Sequence, residues 1–507
     1  MRTARRISQI LFIVCFFGLF LLATYPLEIR IPVDFFLRLS PLNAVSSMIA
    51  ARAWISTGIM ALILLGLTFL LGRFFCGWIC PLGTCVDGSD NALKAKCKNQ
   101  SKSKGLNLPW LKYFVLIAIL TAAVFSVQLA GYFDPISLIT RTTTSVIYPL
   151  FVLAMEGVTG LLSSISFLES ATLKADAWFH RFLLPVTSAS FRGSVLFGLM
   201  LAGILLLAFA QRRYWCRNLC PLGGMLGFSS KWRWYRRSVT DACTSCGLCE
   251  KKCRTGAIQT DFVSTKHAEC INCMDCQAIC PAKAIRFEFV KKPKPSPVDI
   301  SRRRVLGAGV TGLFTLGLVR TGFQNPVRKG QVVRPPGALP ESAFLDRCVR
   351  CGECVRVCST SGQGLQHAGL EAGWEGLASP VLLPPKGYCE YNCNLCGQVC
   401  PTGAIRKLPM PDKQITKMGT AHFDKTHCIP WYYGENCMVC EEHCPIPEKA
   451  IKFREEKVVT IDGRENTVLL PYVVEETCVG CGICSVRCPV EGVKGIFVTN
   501  AGEQRLS

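Results

Sequence analysis

Thirty-one cysteines dominate the chemistry available to this 507-residue chain. Twenty-four of them fall into six sets of four, mostly two residues apart, with three residues before the last member. Thiolates on such a tight loop can grip one face of a [4Fe–4S] cubane, so the pattern predicts six [4Fe–4S] clusters. The sets are Cys243, Cys246, Cys249 and Cys253; Cys270, Cys273, Cys276 and Cys280; Cys348, Cys351, Cys354 and Cys358; Cys389, Cys393, Cys396 and Cys400; Cys428, Cys437, Cys440 and Cys444; and Cys478, Cys481, Cys484 and Cys488.

The first two sets form a doubled bacterial ferredoxin pattern, in which the fourth cysteine of each set reaches the other cluster. We therefore assign Cys280 to the cluster of the first set and Cys253 to that of the second. Arg254 stands where the pattern usually has proline. Zinc is the alternative ligand for any single set, but six sets in series, four of them followed directly by proline, favour iron–sulfur clusters. The sequence has no Cys-x-x-Cys-His motif for covalent c-type haem.

Four further cysteines occur in two Cys-x3-Cys-Pro-Leu-Gly copies. They are Cys76 and Cys80 in the first copy and Cys216 and Cys220 in the second. Each copy follows an apolar span, so we predict an internal duplication that brings both pairs to one membrane face. These cysteines are candidate cofactor-binding residues of a redox or metal unit. The alternative is that they only pack in a buried core.

The composition is half hydrophobic, and the apolar residues are concentrated before residue 215. Apolar runs at 10–25, 54–71, 111–131 and 194–210 predict four membrane spans, and the lysines after the second run predict a cytoplasmic loop there. The net charge of +22 does not indicate nucleic-acid binding, because Lys and Arg cluster beside hydrophobic spans. The predicted fold class is a membrane α-helical domain with two α+β bacterial ferredoxin-like domains.

A linker at 291–325 separates the two cysteine-rich parts. Its segment Ser301-Arg-Arg-Arg-Val-Leu306 is typical of a twin-arginine export signal, and the apolar run 305–319 adds one signal-like span. The predicted domains are a polytopic membrane domain (1–235), a two-cluster ferredoxin domain (236–290), the linker, and a four-cluster ferredoxin domain (326–507). We expect a multi-pass protein of the bacterial inner membrane, with 236–290 in the cytoplasm and 326–507 in the periplasm.

Two family resemblances follow from these motifs. Residues 1–290, with CGWICPLG, CRNLCPLG and the two-cluster tail, resemble the NapH family of membrane quinol dehydrogenase subunits of periplasmic nitrate reductase systems. Residues 301–500 resemble the exported NapG/MauM ferredoxin family through RRRVL, the segment starting at Arg334-Pro-Pro-Gly-Ala, and Cys428-x8-Cys437-x2-Cys440-x3-Cys444-Pro445. The chain thus resembles a fusion of two usually separate subunits. It departs from the family at Cys389-Glu-Tyr-Asn-Cys393 and in its long 131–192 loop.

The resemblance also implies how the last four sets share ligands: the first with the fourth, and the second with the third. The implied groups are Cys348, Cys351, Cys354 with Cys488; Cys478, Cys481, Cys484 with Cys358; Cys389, Cys393, Cys396 with Cys444; and Cys428, Cys437, Cys440 with Cys400.

Cysteine-ligated clusters move single electrons, and no substrate-cleaving constellation accompanies them. We therefore expect quinol from the membrane quinone pool to be oxidised and its electrons relayed to a periplasmic cytochrome or terminal reductase. The alternative is a maturation or regulatory redox protein, because oxidase-assembly and nitrous-oxide-reductase regulatory proteins share the Cys-x3-Cys-Pro membrane unit. These proteins resemble only the first half of the chain.

A quinol site needs an apolar wall and a proton acceptor near a cluster. At the outer face, Asp134, Arg141, Glu156 and His180 surround the apolar segment 146–168, which we interpret as interfacial helices or a re-entrant lid, broken at Pro149 and Glu156, in preference to an extra hairpin. Glu156 and His180 are the candidate catalytic residues, although a structural role is the alternative for both. The second place is the inner face, where the candidates are Arg73, Trp78 and Trp215.

Overall fold

The computed structural model describes residues 2–27, 32–94, 107–164, 167, 169–182, 190–291, 295, 298, 300–320, 332–384, 386–459 and 465–505. The regular elements of its described residues before 235 are helices. The helices are α1 (Arg2–Leu22), α2 (Phe35–Arg38), α3 (Pro41–Ala51), α4 (Ile59–Leu71), α5 (Phe74–Trp78), α6 (Pro81–Lys94), α7 (Leu111–Val124), α8 (Ala130–Phe133), α9 (Pro135–Thr142), α10 (Tyr148–Ser163), α11 (Glu169–Phe182), α12 (Ser194–Leu206) and α13 (Pro221–Ser229). Cys97 and most of the 94–104 lysine cluster lie outside the described residues.

Two helical segments of the described chain are long and apolar enough to cross a membrane, Thr3–Leu22 and Pro135–Ser163. Three other apolar helices are shorter: Ser56–Leu71, Leu111–Val124 and Ser194–Phe209. At about 1.5 Å per residue, helices of this length fall short of a hydrocarbon core of about 30 Å. The first predicted span therefore meets the length criterion, while the other three are shorter than predicted.

The segment 146–168 differs from the prediction. Residues Pro135–Ser163 form one continuous helical run in place of broken interfacial helices. The run stays intact because a π-helical turn, Thr143–Ile147, precedes α10, so that Pro149 falls in the first turn of that helix. The wider π-helical turn accommodates the proline ring and the missing N–H group within the continuous run. Pro149 and Glu156 consequently do not interrupt the helix, and α11 packs against α10.

The helices α1, α4, α7 and α12 run between two cysteine-rich regions. We call these the middle region (236–290) and the C-terminal region (332–505). The first and second of these helices run in opposite directions. Arg5 of α1 pairs with Asp87 near the middle region, whereas the Phe20 carbonyl at the other end accepts from Arg356 of the C-terminal region. Before α4, Thr57 donates to the Pro401 carbonyl, and at its end the Leu71 carbonyl accepts from Asn272.

The other two helices continue the alternation. Tyr113 of α7 donates to Glu269 of the middle region, and Gln128, just after this helix, accepts from Arg350 of the C-terminal region. The α12 helix starts beside the C-terminal region, where the Arg192 amide donates to Gln366. The two cysteine-rich regions therefore lie at opposite ends of the four helices.

The middle region is a small α+β unit. Its antiparallel strands β1 (Tyr235–Val239) and β2 (Ile285–Phe289) pair Tyr235 with Phe289 and enclose the helices α14 (Leu248–Lys252) and α15 (Asp275–Ile279). The helix α16 (Arg302–Arg320) then lies parallel to α7. Gly312 allows the close contact, because a Cβ there would lie 2.8 Å from the Ala118 carbonyl oxygen.

The C-terminal region is also α+β and contains three two-stranded antiparallel sheets among its described residues. Their strands pair as β3 with β4, β5 with β8, and β6 with β7. Short helices carry many of the cysteines. The elements are α17 (Glu341–Arg347), α18 (Glu353–Cys358), β3 (Leu365–His367), α19 (Gly373–Gly376), β4 (Pro380–Leu382), α20 (Leu395–Gln398), α21 (Met410–Ile415), β5 (Thr420–Phe423), α22 (Ile429–Tyr432), α23 (Val439–Glu442), β6 (Ile451–Val459), β7 (Glu465–Val473), α24 (Ile483–Arg487) and β8 (Ile496–Thr499).

Candidate iron–sulfur and thiol sites

The sixteen motif cysteines of the C-terminal region line four cavities, four cysteines to each. The cavities have about 320 to 370 Å³ of empty space. Each contains three cysteines of one motif and the last cysteine of another. Group A is Cys348, Cys351, Cys354 and Cys400; group B is Cys358, Cys389, Cys393 and Cys396; group C is Cys444, Cys478, Cys481 and Cys484; group D is Cys428, Cys437, Cys440 and Cys488.

The predicted ligand sharing in this region is therefore wrong. The first motif shares with the second, by exchange of Cys358 and Cys400, and the third shares with the fourth, by exchange of Cys444 and Cys488. The reason lies in the backbone pairing. The chain returns the second motif to the first through a bridge between Gln363 and Tyr388. The β5–β8 pair returns the fourth motif to the third.

Backbone amides donate to the exchanged sulfurs. The Leu365 amide lies 3.4 Å from Cys358 Sγ and the Ile405 amide 3.5 Å from Cys400 Sγ. In the middle region the Ala257 amide lies 3.3 Å from Cys253 Sγ. Such N–H···S bonds stabilise thiolate charge and adjust the potential of a bound cluster. The four-cysteine groups and the amides that donate to their sulfurs therefore fit [4Fe–4S] clusters.

The four groups form a row that starts at the helical half. Group A lies nearest to it, because Arg350 between two of its cysteines donates to the Gln128 carbonyl. Group B touches group C, since the Cys389 amide donates to the Cys481 carbonyl at 2.8 Å. Groups A and B, and groups C and D, are neighbours through their exchanged cysteines. The order of neighbouring groups is therefore A, B, C, D, and group B also contacts the helical half, because Cys393 packs beside Ala23 and Val33.

In the middle region, Cys253 lies among the cysteines of the second motif. Its thiol interacts electrostatically with those of Cys273 and Cys276. Cys249 interacts with Cys243 of its own motif. The position of Cys253 agrees with the exchange that the doubled ferredoxin pattern predicts, and the assignment of Cys280 to the first cluster stays a prediction.

The cysteines of the two Cys-x3-Cys-Pro copies come together, and we call them the thiol quartet: Cys76, Cys80, Cys216 and Cys220. The thiols of Cys80 and Cys220 each interact electrostatically with those of Cys76 and Cys216. Burial raises the pKa of Cys216 to about 11, against the opposing effect of Arg213. No described set of three or more Cys, His, Asp or Glu side chains is gathered as for a single metal ion.

The two halves of the quartet repeat each other. Cys80 Sγ accepts from the Gly83 amide at 3.4 Å, and Cys220 Sγ accepts from the Gly223 amide at 3.3 Å. An arginine three residues before each first cysteine crosses to the other copy. Arg73 donates to the Cys216 carbonyl and Arg213 to the Cys76 carbonyl. This reciprocal geometry is what an internal duplication produces.

Buried ion pairs tie the quartet to the middle region. Asp87 pairs with Arg213 at 2.7 Å, Arg254 at 3.0 Å and Arg5 at 3.4 Å. Burial by itself would raise the pKa of Asp87, but the three guanidinium groups hold it well below its usual range. From the sequence, Arg254 was identified only as the residue that replaces the usual proline, and its partner Asp87 was not predicted.

A second buried carboxylate continues this connection. Glu269, next to the first cysteine of its motif, accepts from Tyr113 at 3.0 Å, from Arg73 at 3.1 Å and also from Lys112. Sequence reasoning missed Glu269. The available signal was a lysine at the start of an apolar helix, which needs a partner when buried.

Two residues of the predicted outer quinol site, Asp134 and Arg141, make structural contacts in the described part of the chain. Asp134 caps α9 by accepting from the Ile136 and Ser137 amides, and Arg141 donates to the Arg350 carbonyl. Glu156 is half-buried on α10, and the side chain of His180 lies outside the described residues. At the inner face, Trp78 donates to the Asn272 carbonyl, while Arg73 and Trp215 are buried.

The α+β regions and their cysteine-lined cavities define an iron–sulfur electron-transfer protein of the ferredoxin type. Two family models, each described as a 4Fe-4S binding domain, match the chain, one at residues 53–98 and 194–239 and the other at 239–259. The repeated match coincides with the two halves of the quartet. No solved structure matches the chain.

Curated relatives identify the family. The chain is 36% identical over 201 residues to the methylamine utilization ferredoxin-type protein MauM of Methylorubrum extorquens, covering 39% of this chain and 86% of MauM. It is 37% identical over 188 residues to MauM of Paracoccus denitrificans, with 36% and 78% covered. It is 35% identical over 187 residues to the ferredoxin-type protein NapG of Escherichia coli, with 36% and 76% covered. The chain belongs to this MauM/NapG family of ferredoxin-type proteins.

Proposed function

We propose that this chain is a membrane-bound iron–sulfur protein that oxidises quinol and relays electrons to a periplasmic cytochrome or terminal reductase. The observation that carries the proposal is the position of the two cysteine-rich regions at opposite ends of the same four helices, with the thiol quartet beside the middle region. Such an arrangement suits electron transfer through and out of a membrane. The NapH-like motifs of residues 1–290 support the quinol as donor.

In this proposal the six cysteine sets hold six [4Fe–4S] clusters. Groups A to D supply four of the sites, and the middle region supplies two. When bound, such clusters exchange single electrons at potentials set by burial and by hydrogen bonds to sulfur. The protein positions the sites: Arg350 and Arg356 fix group A against the helical half, and the Cys389 amide joins groups B and C.

The four alternating helices are proposed to cross the inner membrane. Three of them are short for a bilayer, and a short span is accommodated by local thinning of the lipid. The helix α16 runs parallel to α7, from the side of the middle region toward the C-terminal region. It would therefore carry the chain across once more after the twin-arginine-like Arg302, Arg303 and Arg304.

Reporter fusions test this topology. A reporter active only in the cytoplasm, fused after Lys291, should give a signal, and the same reporter fused after Ser507 should give none. A reporter active only in the periplasm should give the reverse pair. The physical reason is the excess of arginine at the start of α16, which is retained on the cytoplasmic side. Equal signals at both positions would show that α16 does not cross.

Electron paramagnetic resonance on purified, cluster-loaded protein tests the function. Menadiol, a soluble menaquinol analogue, should reduce a large share of the clusters anaerobically, and the spectrum should approach that given by dithionite. When oxidised cytochrome c or an oxidised reductase partner is then added, it should become reduced. A protein whose clusters respond to dithionite and never to menadiol would contradict the proposal and favour a maturation or regulatory role.

A further inference from the structure

A cleft lies between the chain that follows the first helix and the C-terminal region. It has about 1140 Å³ of empty space and opens to the surface. One wall comes from Leu27 and residues 32–38, and the other from residues on both sides of Cys400, the last cysteine of group A. Its lining residues are Leu27, Pro32, Val33, Asp34, Arg38, Gln398, Val399, Lys407, Leu408 and Pro409.

The cleft lies directly beside group A. Val399 lines both the cleft and the cavity of Cys348, Cys351, Cys354 and Cys400. A molecule in the cleft is therefore separated from group A by a single side chain. The cleft also lies where the apolar helix Thr3–Leu22 ends, which is the outer edge of the proposed bilayer. A lipid-soluble headgroup can reach that depth without leaving the membrane interface.

One carboxylate, that of Asp34, lines the cleft, whose other residues are apolar, amide-bearing and basic. Asp34 is buried and accepts from Arg38 at 2.8 Å. The other charged groups near it are Lys407, from the opposite wall, and Glu353 of α18. Burial raises the pKa of Asp34 above its ordinary value, although Arg38 opposes the shift. The side chain is thus set to take up a proton more readily than an exposed aspartate.

We propose that the quinol headgroup binds in this cleft and that Asp34 accepts a proton from it. This inference rests on the proposed function and names its site. Oxidation of one quinol to quinone releases two electrons and two protons. One electron at a time would pass at Val399 to the cluster that group A would hold, and with each electron Asp34 takes one proton from a quinol hydroxyl and passes it to water at the cleft mouth. Two such rounds account for both electrons and both protons. Arg38 keeps the carboxylate oriented between transfers.

Two variants test the site. Asp34→Asn removes the proton acceptor and keeps its size, and Leu408→Trp fills the cleft. Leu370→Trp, at an exposed position of the same region, is the matched control. Binding is followed by the fluorescence quenching of 2-heptyl-4-hydroxyquinoline N-oxide, a probe shaped like a quinol headgroup, and reduction by menadiol is followed at several pH values. Dithionite spectra verify that every variant carries its clusters.

Asp34→Asn should slow menadiol reduction by about 100-fold near pH 7 and flatten its pH dependence, with little change in probe binding. Leu408→Trp should weaken probe binding by at least about tenfold. Asp34→Glu should recover much of the rate. Wild-type behaviour in both test variants, with normal reduction in the parent protein, would overturn the cleft while leaving the proposed function standing. Slowing by Glu156→Gln or His180→Ala instead would place the site beside α10 and α11. A parent protein that menadiol never reduces would remove the proposed function itself.

Discussion

Replacing Cys80 or Cys220 with serine is expected to stop electron transfer between the clusters of the middle region and those of the C-terminal region. Menadiol should then reduce the clusters at only one end of the helices, whereas in the parent protein it reduces both. The reason is position. Cys80 and Cys220 lie in the buried core of the helices, which extends as far as Val349 and Cys351 of group A, and the neighbouring Gly77 is packed against the middle region. The quartet therefore lies in the core that connects the middle region with group A.

The measurement is electron paramagnetic resonance after menadiol and, separately, after dithionite. Dithionite should reduce all clusters in the serine variants, because the ligands in both cysteine-rich regions are untouched. Cys15→Ser is the matched control, since Cys15 is exposed on α1. If both serine variants equilibrate all clusters with menadiol as fast as this control does, the quartet has a packing role. With the quinol in the cleft, the clusters that stay oxidised should be those of the middle region.

Replacing Asp87 with Asn should cause the largest loss of stability among single polar substitutions at the inner end of the helices. The substitution leaves Arg213 and Arg5 buried without their counter-charge, and Arg254 loses one of its two carboxylate partners. Removing one member of a buried ion pair costs about 3 to 5 kcal/mol. We expect a clearly lower Tm for the detergent-solubilised protein and faster proteolysis between the helical half and the middle region.

The sign of the pH dependence follows from the same geometry. The pKa of Asp87 is lower in the folded protein than in the unfolded chain, whose aspartates titrate at about 4. Its contribution is therefore complete above about pH 4 and is lost as the pH falls toward the folded pKa. Asp261→Asn, at an exposed turn, is the control. An Asp87→Asn protein with the Tm and proteolysis rate of this control would show that the pairs contribute nothing net.

Local chemistry was readable from the sequence. The cysteine spacings fixed which three thiols sit on one loop, because those loops are only a few residues long, and the doubled pattern of Cys243 to Cys280 also predicted the position of Cys253. The duplication of the Cys-x3-Cys-Pro copies was visible in the same way. The α+β character of the cysteine-rich regions and the membership of the ferredoxin-type family agree with those motifs.

Only the tertiary structure decided which motif lends its fourth cysteine to which neighbour. That choice depends on the strands and bridges that return Tyr388 beside Gln363 and β8 beside β5, and these contacts join residues far apart in sequence. The same holds for Asp87, whose partners come from three separate parts of the chain, and for Glu269, whose partners come from two. Helix ends were also beyond the sequence, because a π-helical turn before Pro149 let one helix continue where proline alone predicted a break. The spacing of the cysteines along the chain determines which thiols one loop can offer to a cluster, whereas folding determines which loops come together.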